Sequence, residues 1–272
     1  MEVLSQLNTR SNHEIDYRIF GEEMQCVEIE LDPQETVIAE SGAFMYMDAG
    51  VQMETIFGDD SNSGGGGFFN KLVGAGKRLL TGESLFMTAF THAATGKARV
   101  AFASPYPGKI IPFDLKQLGG KMICQKDAFL CAAKGVAVGI EFQRKLGTGL
   151  FGGEGFIMQK LEGDGLAFCH AGGHIIERNL QPGETLKIDT GCIVAYTRDI
   201  DYDIQFVGGI KNTLFGGEGM FFATLSGPGK VWLQTLPISR LASRIISYGG
   251  GRRKEEGSIL GGLGNLLDGD GR

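Results

Sequence analysis

The 272-residue chain lacks the usual marks of exported, membrane-spanning and nucleic-acid-binding proteins. Its first segment, MEVLSQLNTRSNHEIDYRIF, carries charges throughout and has no apolar core, so we expect no signal peptide. No stretch approaches the roughly 18 uninterrupted apolar residues of a membrane-spanning helix. Lys and Arg number 26 against 32 Asp and Glu, giving a net charge of −6. Because phosphate contacts require concentrated basic side chains, nucleic-acid binding is disfavoured.

Cysteine is scarce and has no metal-site or redox spacing. The five residues are Cys26, Cys124, Cys131, Cys169 and Cys192, and no CxxC occurs. An odd number of cysteines without an export signal predicts reduced, buried thiols in a cytoplasmic protein. The sequence also lacks GxSxG and any recognisable nucleophile with a paired base, so we expect neither an enzyme nor a bound cofactor.

Glycine, by contrast, is abundant, with 44 residues in 272, more than twice the usual share of about 7%. The glycines lie between short apolar runs rich in β-branched and aromatic residues, and they follow no fixed period. This pattern indicates many tight turns between short strands. Long alternating helices, which an α/β fold would need, are not indicated, so the sequence predicts an all-β fold.

One hexapeptide, LFGGEG, occurs twice, at 150–155 and 214–219. The similarity extends through GEGFIMQKL and GEGMFFATL, and GESLFMTAF is a weaker third copy. Each copy is followed by a glycine turn and a second strand-like run, TGKARVAFA, GDGLAFCHA or GPGKVWLQT. We therefore predict a β-hairpin in each copy of a repeated unit.

A second repeated block precedes each predicted hairpin. LDPQETVIAESGAFMYM (31–47) aligns with LQPGETLKIDTGCIVAY (180–196), and PGKIIPFDL followed by CQKDAFLCA has the same pattern with an insertion. From these repeats we predict three units, at about 12–105, 106–180 and 181–236, within one compact domain at 1–240. Packing around a pseudo-threefold axis, with short helices between units, would cover the exposed edges and apolar faces of small β-units. Three independent domains on linkers are the alternative.

These segments resemble a known family. SGAFMYMD, GESLFMTAF, PGKIIPFDL and the two LFGGEG copies are similar to the bacterial relatives of the altered-inheritance-of-mitochondria protein 24, over about residues 12–240. The resemblance implies a fold like that of the tryptophan RNA-binding attenuation protein (TRAP), a shortened double-stranded β-helix. For the yeast relative it implies a role in mitochondrial organisation. It implies no reaction and no site residues.

The most notable polar set is the glutamate that recurs in each copy, namely Glu83, Glu154 and Glu218. Related by a pseudo-threefold axis, the three carboxylates either meet, and could then bind a ligand or cation, or lie apart at strand entrances. His170 and His174 are weak candidates for metal ligands. A two-residue turn at Gly172 and Gly173 would point them to opposite faces, and a three-residue turn to the same face. We expect two solvent-facing turn histidines and no metal site.

The stretch 68–80 has the pattern of a basic amphipathic helix. Its apolar face comprises Phe68, Phe69, Leu72, Val73, Leu79 and Leu80. This face could lie on an anionic membrane or pack on the core or a sister subunit, and its two glycines favour packing. A second short amphipathic helix is predicted at 237–248, followed by a flexible, glycine-rich tail at 249–272.

The leading hypothesis is a non-enzymatic β-scaffold or protein-interaction protein that forms a homo-oligomer, for which the internal symmetry and the family suggest a trimer. The protein partner and pathway are unknown. A small-ligand or metal-binding protein of the double-stranded β-helix type is the alternative, because such folds often hold ligands inside the roll. Two further hypotheses are peripheral membrane association through 68–80 and TRAP-like RNA binding, which the net charge disfavours.

Overall fold

The computed structural model describes residues 15–57, 86–144, 156–207 and 220–249. Within these ranges the chain forms nineteen strands, two short 3-10 turns and one α-helix. The predicted all-β fold is therefore confirmed. The first strand, β1 (Asp16–Phe20), stands before three groups of six strands, which we call units 1, 2 and 3.

The strands of each unit are given the letters a to f in chain order. Unit 1 consists of β2 (Cys26–Leu31), β3 (Thr36–Glu40), β4 (Phe44–Met47), β5 (Val51–Phe57), β6 (Phe86–His92) and β7 (Ala98–Ala103). Unit 2 consists of β8 (Gly108–Asp114), β9 (Lys121–Gln125), β10 (Phe129–Ala133), β11 (Ala137–Arg144), β12 (Phe156–Glu162) and β13 (Leu166–Gly172). Unit 3 consists of β14 (Ile175–Leu180), β15 (Thr185–Asp189), β16 (Ile193–Thr197), β17 (Asp201–Val207), β18 (Met220–Ser226) and β19 (Gly229–Gln234).

The three units share one pattern of antiparallel pairing. In each unit strand f lies between a and c, and strand e lies between d and b. Consecutive strands e and f therefore belong to different sheets. The predicted e–f hairpins are wrong in this respect, because the glycine turns after β6, β12 and β18 carry the chain from one sheet to the other. The paired neighbours in sequence are strands d and e.

Two sheets continue from one unit into the next. Strand β3 of unit 1 pairs with β10 of unit 2, and β9 of unit 2 pairs with β16 of unit 3. We call these b–c pairings joint 1 and joint 2. They generate two six-stranded sheets, in the orders β5-β6-β3-β10-β13-β8 and β11-β12-β9-β16-β19-β14. Since a sheet spans each joint, the units are not independent domains on linkers.

The pairing also refines the unit boundaries. Strand β14 pairs with β19 of unit 3, so the second boundary lies before Ile175 and not at 180, where the sequence pattern predicts it. The hydrogen bonds described here join the units in a row. A pseudo-threefold axis stays a prediction, as does the relation to TRAP.

The alternation of residue types explains how the sheets bury one face. In β2, Val27, Ile29 and Leu31 are fully buried, whereas Glu28 and Glu30 face outward. The period-2 pattern of a half-buried strand is therefore present in the sequence. The outward carboxylates meet Arg99 on β7 and Lys97 immediately before it, with 2.5 Å from Lys97 Nζ to Glu30 Oε1.

Each apolar core takes residues from the neighbouring unit. The core of unit 1 includes Cys131 and Phe168 of unit 2, and the core of unit 2 includes Val194 and Trp232 of unit 3. Burial across the joints stabilises the row of units by the same apolar contacts that stabilise each unit.

The described chain ends with helix α1 (Ile238–Gly249), in the stretch where a short amphipathic helix is predicted. Its first turn lies against the 3-10 turn Thr190–Cys192 of unit 3, where Arg240 Nη2 donates to Asp189 Oδ2 at 2.9 Å. Among the described residues, no helix has the length and apolar character needed to cross a membrane. The tail predicted to be flexible begins at the end of α1 and otherwise lies outside the described residues.

Candidate functional site

The three recurring glutamates lie outside the described residues, in the d–e connections of the three units. Strands β6, β12 and β18 begin just after them, and the pairing of these strands shows which residues correspond between the three units. Met87, Met158 and Phe222 are equivalent, because they face the last residues of strand b in their units. Each follows its glutamate by four residues in the sequence. The glutamates are thus equivalent in the repeat, and whether they meet stays a prediction.

The six apolar positions of the predicted 68–80 helix also lie outside the described residues. Its assignment to core, subunit contact or membrane surface therefore stays open.

The two candidate histidines have different environments. His170 lies in strand β13 and is 2% exposed, so its prediction as a solvent-facing turn residue is wrong. The reason is that β13 continues through Gly172, which leaves His174 alone in the exposed connection to β14. Within the described ranges, no group of three or more His, Cys, Asp or Glu side chains is arranged to bind a metal ion.

His170 belongs to a buried polar group at joint 1. Its ring lies edge-on to Tyr106, with centroids 4.5 Å apart and planes at 90°. Burial lowers the pKa of His170 to about 4. At the end of β3, burial and the nearby Asp127 carboxylate raise the pKa of Glu40 to about 8, against the opposing effect of Lys126. At neutral pH both His170 and Glu40 are therefore uncharged in the folded protein.

The clearest unsatisfied feature of the fold is a pair of open strand edges. Strand β4 pairs with β7 on one side only, and β15 pairs with β18 on one side only. Strand β4 is the c strand of unit 1, and β15 is the b strand of unit 3. Within the part of the chain described here, these are the c and b strands for which the row of units provides no partner.

A repeated β-bulge fixes the equivalence between the c strands. The register shifts between Phe44 and Tyr46 in β4, between Phe129 and Cys131 in β10, and between Ile193 and Ala195 in β16. A bulge adds one residue to one strand and bends it, and it tends to recur at a fixed place in related structures. Tyr46, Cys131 and Ala195 therefore occupy one equivalent position, immediately after the bulge.

The exposure of these equivalent positions differs sharply between the open and the paired strands. Phe44, Met45 and Tyr46 are 42%, 55% and 40% exposed. Their counterparts in units 2 and 3 are between 0% and 3% exposed: Phe129, Leu130, Cys131, Ile193, Val194 and Ala195. Three consecutive large apolar side chains thus remain accessible at the open edge of unit 1. Such a patch on an unpaired strand is typical of a protein contact surface.

The open β15 edge is more polar. Lys187 is exposed, whereas its counterparts Ile38 and Ile123 are 1% and 3% exposed. The end of β15 is held in place by Asp189, which accepts hydrogen bonds from the Gly191 amide at 2.9 Å and from Arg240 at 2.9 Å. An ordered strand with free backbone groups is thus available for pairing at this end of the molecule.

Sequence reasoning identified the repeat but missed the open edges. The signal was present, because the alignment of 31–47 with 180–196 places the exposed Phe44, Met45 and Tyr46 opposite Ile193, Val194 and Ala195. What the sequence did not reveal was which strand covers each of these runs, since b–c pairing joins residues that lie far apart in the chain.

Comparisons with known proteins assign the chain to a family. Residues 17–236 match the family described as "Mitochondrial biogenesis AIM24". An uncharacterized protein of Streptococcus pyogenes serotype M6 is 32% identical over 225 residues, covering 82% of this chain and 86% of that protein. A structural genomics crystal structure of a Streptococcus pyogenes protein matches with a TM-score of 0.67 and 27% identity, covering 86% of this chain and 99% of the other. The chain therefore belongs to the AIM24 family.

Proposed function

We propose that this protein is a non-enzymatic β-scaffold that self-associates through its open strand edges and presents the assembled surface to other proteins. The observation that carries the proposal is the exposure of Phe44, Met45 and Tyr46 at positions that are buried in the other two units. An apolar run on an unpaired edge is costly to leave in water, and pairing with another chain removes both the apolar surface and the free backbone groups.

We further propose that the protein is cytoplasmic, and the state of its cysteines supports this location. All five are free thiols, and Cys124, Cys131 and Cys169 are buried. A hydrogen bond with the Cys169 thiol, together with burial, raises the pKa of Cys124, which keeps this sulfur protonated and weakly reactive. Unbridged cysteines are typical of proteins in reducing compartments.

The proposal is tested by sedimentation velocity of the full chain over a range of concentrations. We expect species heavier than the 29.2 kDa monomer, with a trimer as the predicted state. A monomer at every concentration up to about 100 μM, a range in which weak edge pairing with a micromolar Kd would be populated, would contradict the proposal.

A small-ligand-binding function is the second candidate, and the buried group containing Glu40, Tyr106 and His170 favours it. Buried polar side chains with shifted pKa values are typical of binding sites, although they also occur in purely structural networks. Thermal unfolding in the presence of divalent cations and small carboxylic acids tests this candidate. A ligand that raises the Tm of the wild-type protein, but not of His170→Asn, would support it.

Membrane association through 68–80 stays a further alternative. Co-sedimentation with vesicles containing anionic lipid tests it, with Phe68→Asp and Leu72→Asp as the variants. Equal recovery of wild type and variants in the supernatant would rule against it.

A further inference from the structure

We propose that the self-association is head-to-tail, with β4 of one copy pairing antiparallel with β15 of a second copy in the register of joints 1 and 2. This inference rests on the proposed function and specifies its partner surface. The chain contains three b strands and three c strands but makes only two b–c pairings among its described residues. The unused c strand belongs to unit 1 and the unused b strand to unit 3, the first and the last unit in the order of pairing.

The register follows from the two joints that exist. In joint 1 Cys131 lies opposite Ala39, and in joint 2 Ala195 lies opposite Cys124. Tyr46 is equivalent to Cys131 and Ala195 by the bulge. Ile188 is the next-to-last residue of β15, as Ala39 is of β3 and Cys124 is of β9.

The third joint therefore places Tyr46 opposite Ile188 and Met47 opposite Lys187. A slip by one residue would turn every side chain of one strand to the wrong face, so the internal joints predict a single register.

The side chains on the two edges are suited to each other. The β4 run supplies the apolar surface, and β15 supplies Ile188, which is 8% exposed and lies in the apolar core of unit 3. Pairing of Tyr46 with Ile188 brings an aromatic and a β-branched residue together across strands, which is a favourable cross-strand combination.

Lys187 is the one departure from the internal joints, where isoleucine occupies its position in both β3 and β9. In the proposed register Lys187 lies directly opposite Met47, so its long stem can cover the apolar surface of that side chain while its ammonium group stays in water. A lysine on an edge strand also weakens indiscriminate pairing. The joint between chains is thus expected to be weaker than those within the chain, and Lys187→Ile is expected to strengthen it.

A head-to-tail joint also explains why the two edges differ. Pairing of β4 with β4, or β15 with β15, would bring identical surfaces together around a twofold axis, and the described strands include no c–c or b–b joint as a precedent. Head-to-tail contacts produce a closed ring when the rotation between copies closes and an open filament when it does not.

The test blocks one edge at a time. Met45→Asp places a carboxylate where Leu130 and Val194 are buried in units 2 and 3, and Lys187→Asp does the same where Ile38 and Ile123 are buried. Both positions are exposed in the single chain, so folding should be preserved. Matched controls are Met53→Asp, which is 53% exposed on β5, and Lys116→Asp, which is exposed in a turn.

Head-to-tail pairing predicts a specific result in sedimentation velocity. Each blocked variant alone becomes monomeric, both controls retain the wild-type mass, and an equal mixture of the two blocked variants forms a dimer of about 58 kDa, twice 29.2 kDa. A blocked variant that still dimerises alone, or a mixture that stays monomeric, would overturn the head-to-tail inference while leaving self-association intact. A monomeric wild type would instead overturn the proposed function together with this inference.

Cysteine trapping tests the register independently. Tyr46→Cys and Ile188→Cys chains are mixed, oxidised and run on a non-reducing gel, with Tyr46→Cys plus Lys187→Cys as the one-residue slip. The unsubstituted chain gives the background from the five native thiols. We expect a covalent dimer at least several-fold more abundant for the first pair. Equal or greater trapping of the slipped pair would refute the proposed register. This test does not use the blocked variants, so it still decides the register if one of them fails to fold.

Discussion

Phe44 and Phe129 occupy the same place in two successive units, each immediately before the bulge of its c strand, yet Phe44 is 42% exposed and Phe129 is 3% exposed. Strand β3 covers the edge on which Phe129 lies, whereas the described chain offers no strand to cover Phe44. This difference arises from position in the row and not from residue type, because the two residues are identical.

The first prediction uses this pair of equivalent phenylalanines. Phe129→Ala should lower the free energy of unfolding by about 3–5 kcal/mol, because it removes a fully buried ring and leaves a cavity. Phe44→Ala should cost no more than about 1 kcal/mol in the monomer, since the ring keeps much of its hydration and loses mainly a stacked contact with Phe90. Urea unfolding at low protein concentration measures both values. Similar losses for the two variants would contradict the assignment of β4 as an open edge.

The second prediction concerns Glu40. Its pKa is about 8 in the folded protein and about 4.3 in an unfolded chain. Because the folded pKa is raised, the protonated carboxyl favours the folded state fully below about pH 4, and this advantage is lost as the pH rises towards 8. Glu40→Gln should therefore be more stable than wild type by up to about 4–5 kcal/mol at pH 8 and no more stable at pH 4.

Thermal and urea unfolding at the two pH values measure the difference for Glu40→Gln. The exposed Glu54→Gln on β5 is the control and should show no such pH dependence. A constant difference between wild type and Glu40→Gln from pH 4 to 8 would contradict the buried, neutral state of this carboxyl.

The third prediction concerns His170, whose pKa is lowered by burial, so that stability is lost as the pH falls. Its folded pKa is about 4, below the value of about 6.5 in an unfolded chain. As the pH falls from about 6.5 to 4, the unfolded state gains a proton that the folded state cannot accept, so stability decreases by up to about 3 kcal/mol. His170→Asn should remove this acid-dependent loss.

The control for His170→Asn is His174→Asn, at the exposed position four residues later, in the connection between β13 and β14. Stability is compared as the difference between each variant and wild type at pH 4, 5.5 and 7, which cancels the contribution of other groups. Identical pH profiles for the two histidine variants would show that His170 is not held neutral by burial.

The fourth prediction concerns close backbone contact between β8 and β13. A Cβ atom at Gly108 would lie 2.0 Å from the Ala171 carbonyl oxygen and 2.5 Å from His170 Nε2. Gly108→Ala should therefore destabilise the protein by more than about 2 kcal/mol, because the strand must shift to relieve the overlap. At Gly42 a Cβ would meet nothing within 4 Å, and only the positive φ of 95° opposes substitution.

Gly42→Ala is thus the matched control, with an expected cost of about 1 kcal/mol. Equal costs for the two glycine variants, measured by urea unfolding, would mean that β8 can move away from β13 without penalty.

Local sequence patterns were sufficient to predict the all-β fold and the positions of most strands. GESLFMTAF, GEGFIMQKL and GEGMFFATL contain the e strands, and the runs after them contain the f strands. The predicted pairing of strands e and f was wrong, because a glycine turn between two strand-like runs indicates a hairpin only when both strands remain in one sheet. In unit 1 the predicted e–f hairpin is replaced by pairing between strands a and f, which joins β2 to β7 from opposite ends of the unit.

The site was less predictable than the fold for a related reason. His170 was placed in a turn from the two glycines that follow it, but its burial depends on how far β13 extends along β8. The exposed residues of β4 are as apolar as their buried counterparts, so residue type could not distinguish a strand whose edge is covered from one whose edge is open. In both cases the deciding factor is a partner strand that is distant in sequence.

The two joints within the chain and the proposed joint between chains differ in their dependence on concentration. Covalent connection holds β3 near β10 and β9 near β16 at an effective concentration that dilution cannot lower. Among the described strands no c strand of a following unit is available to β15, so its proposed pairing with β4 of another copy depends on the concentration of copies in solution. Under the proposed head-to-tail pairing, expression level sets the degree of assembly, while the fold of each copy is independent of it.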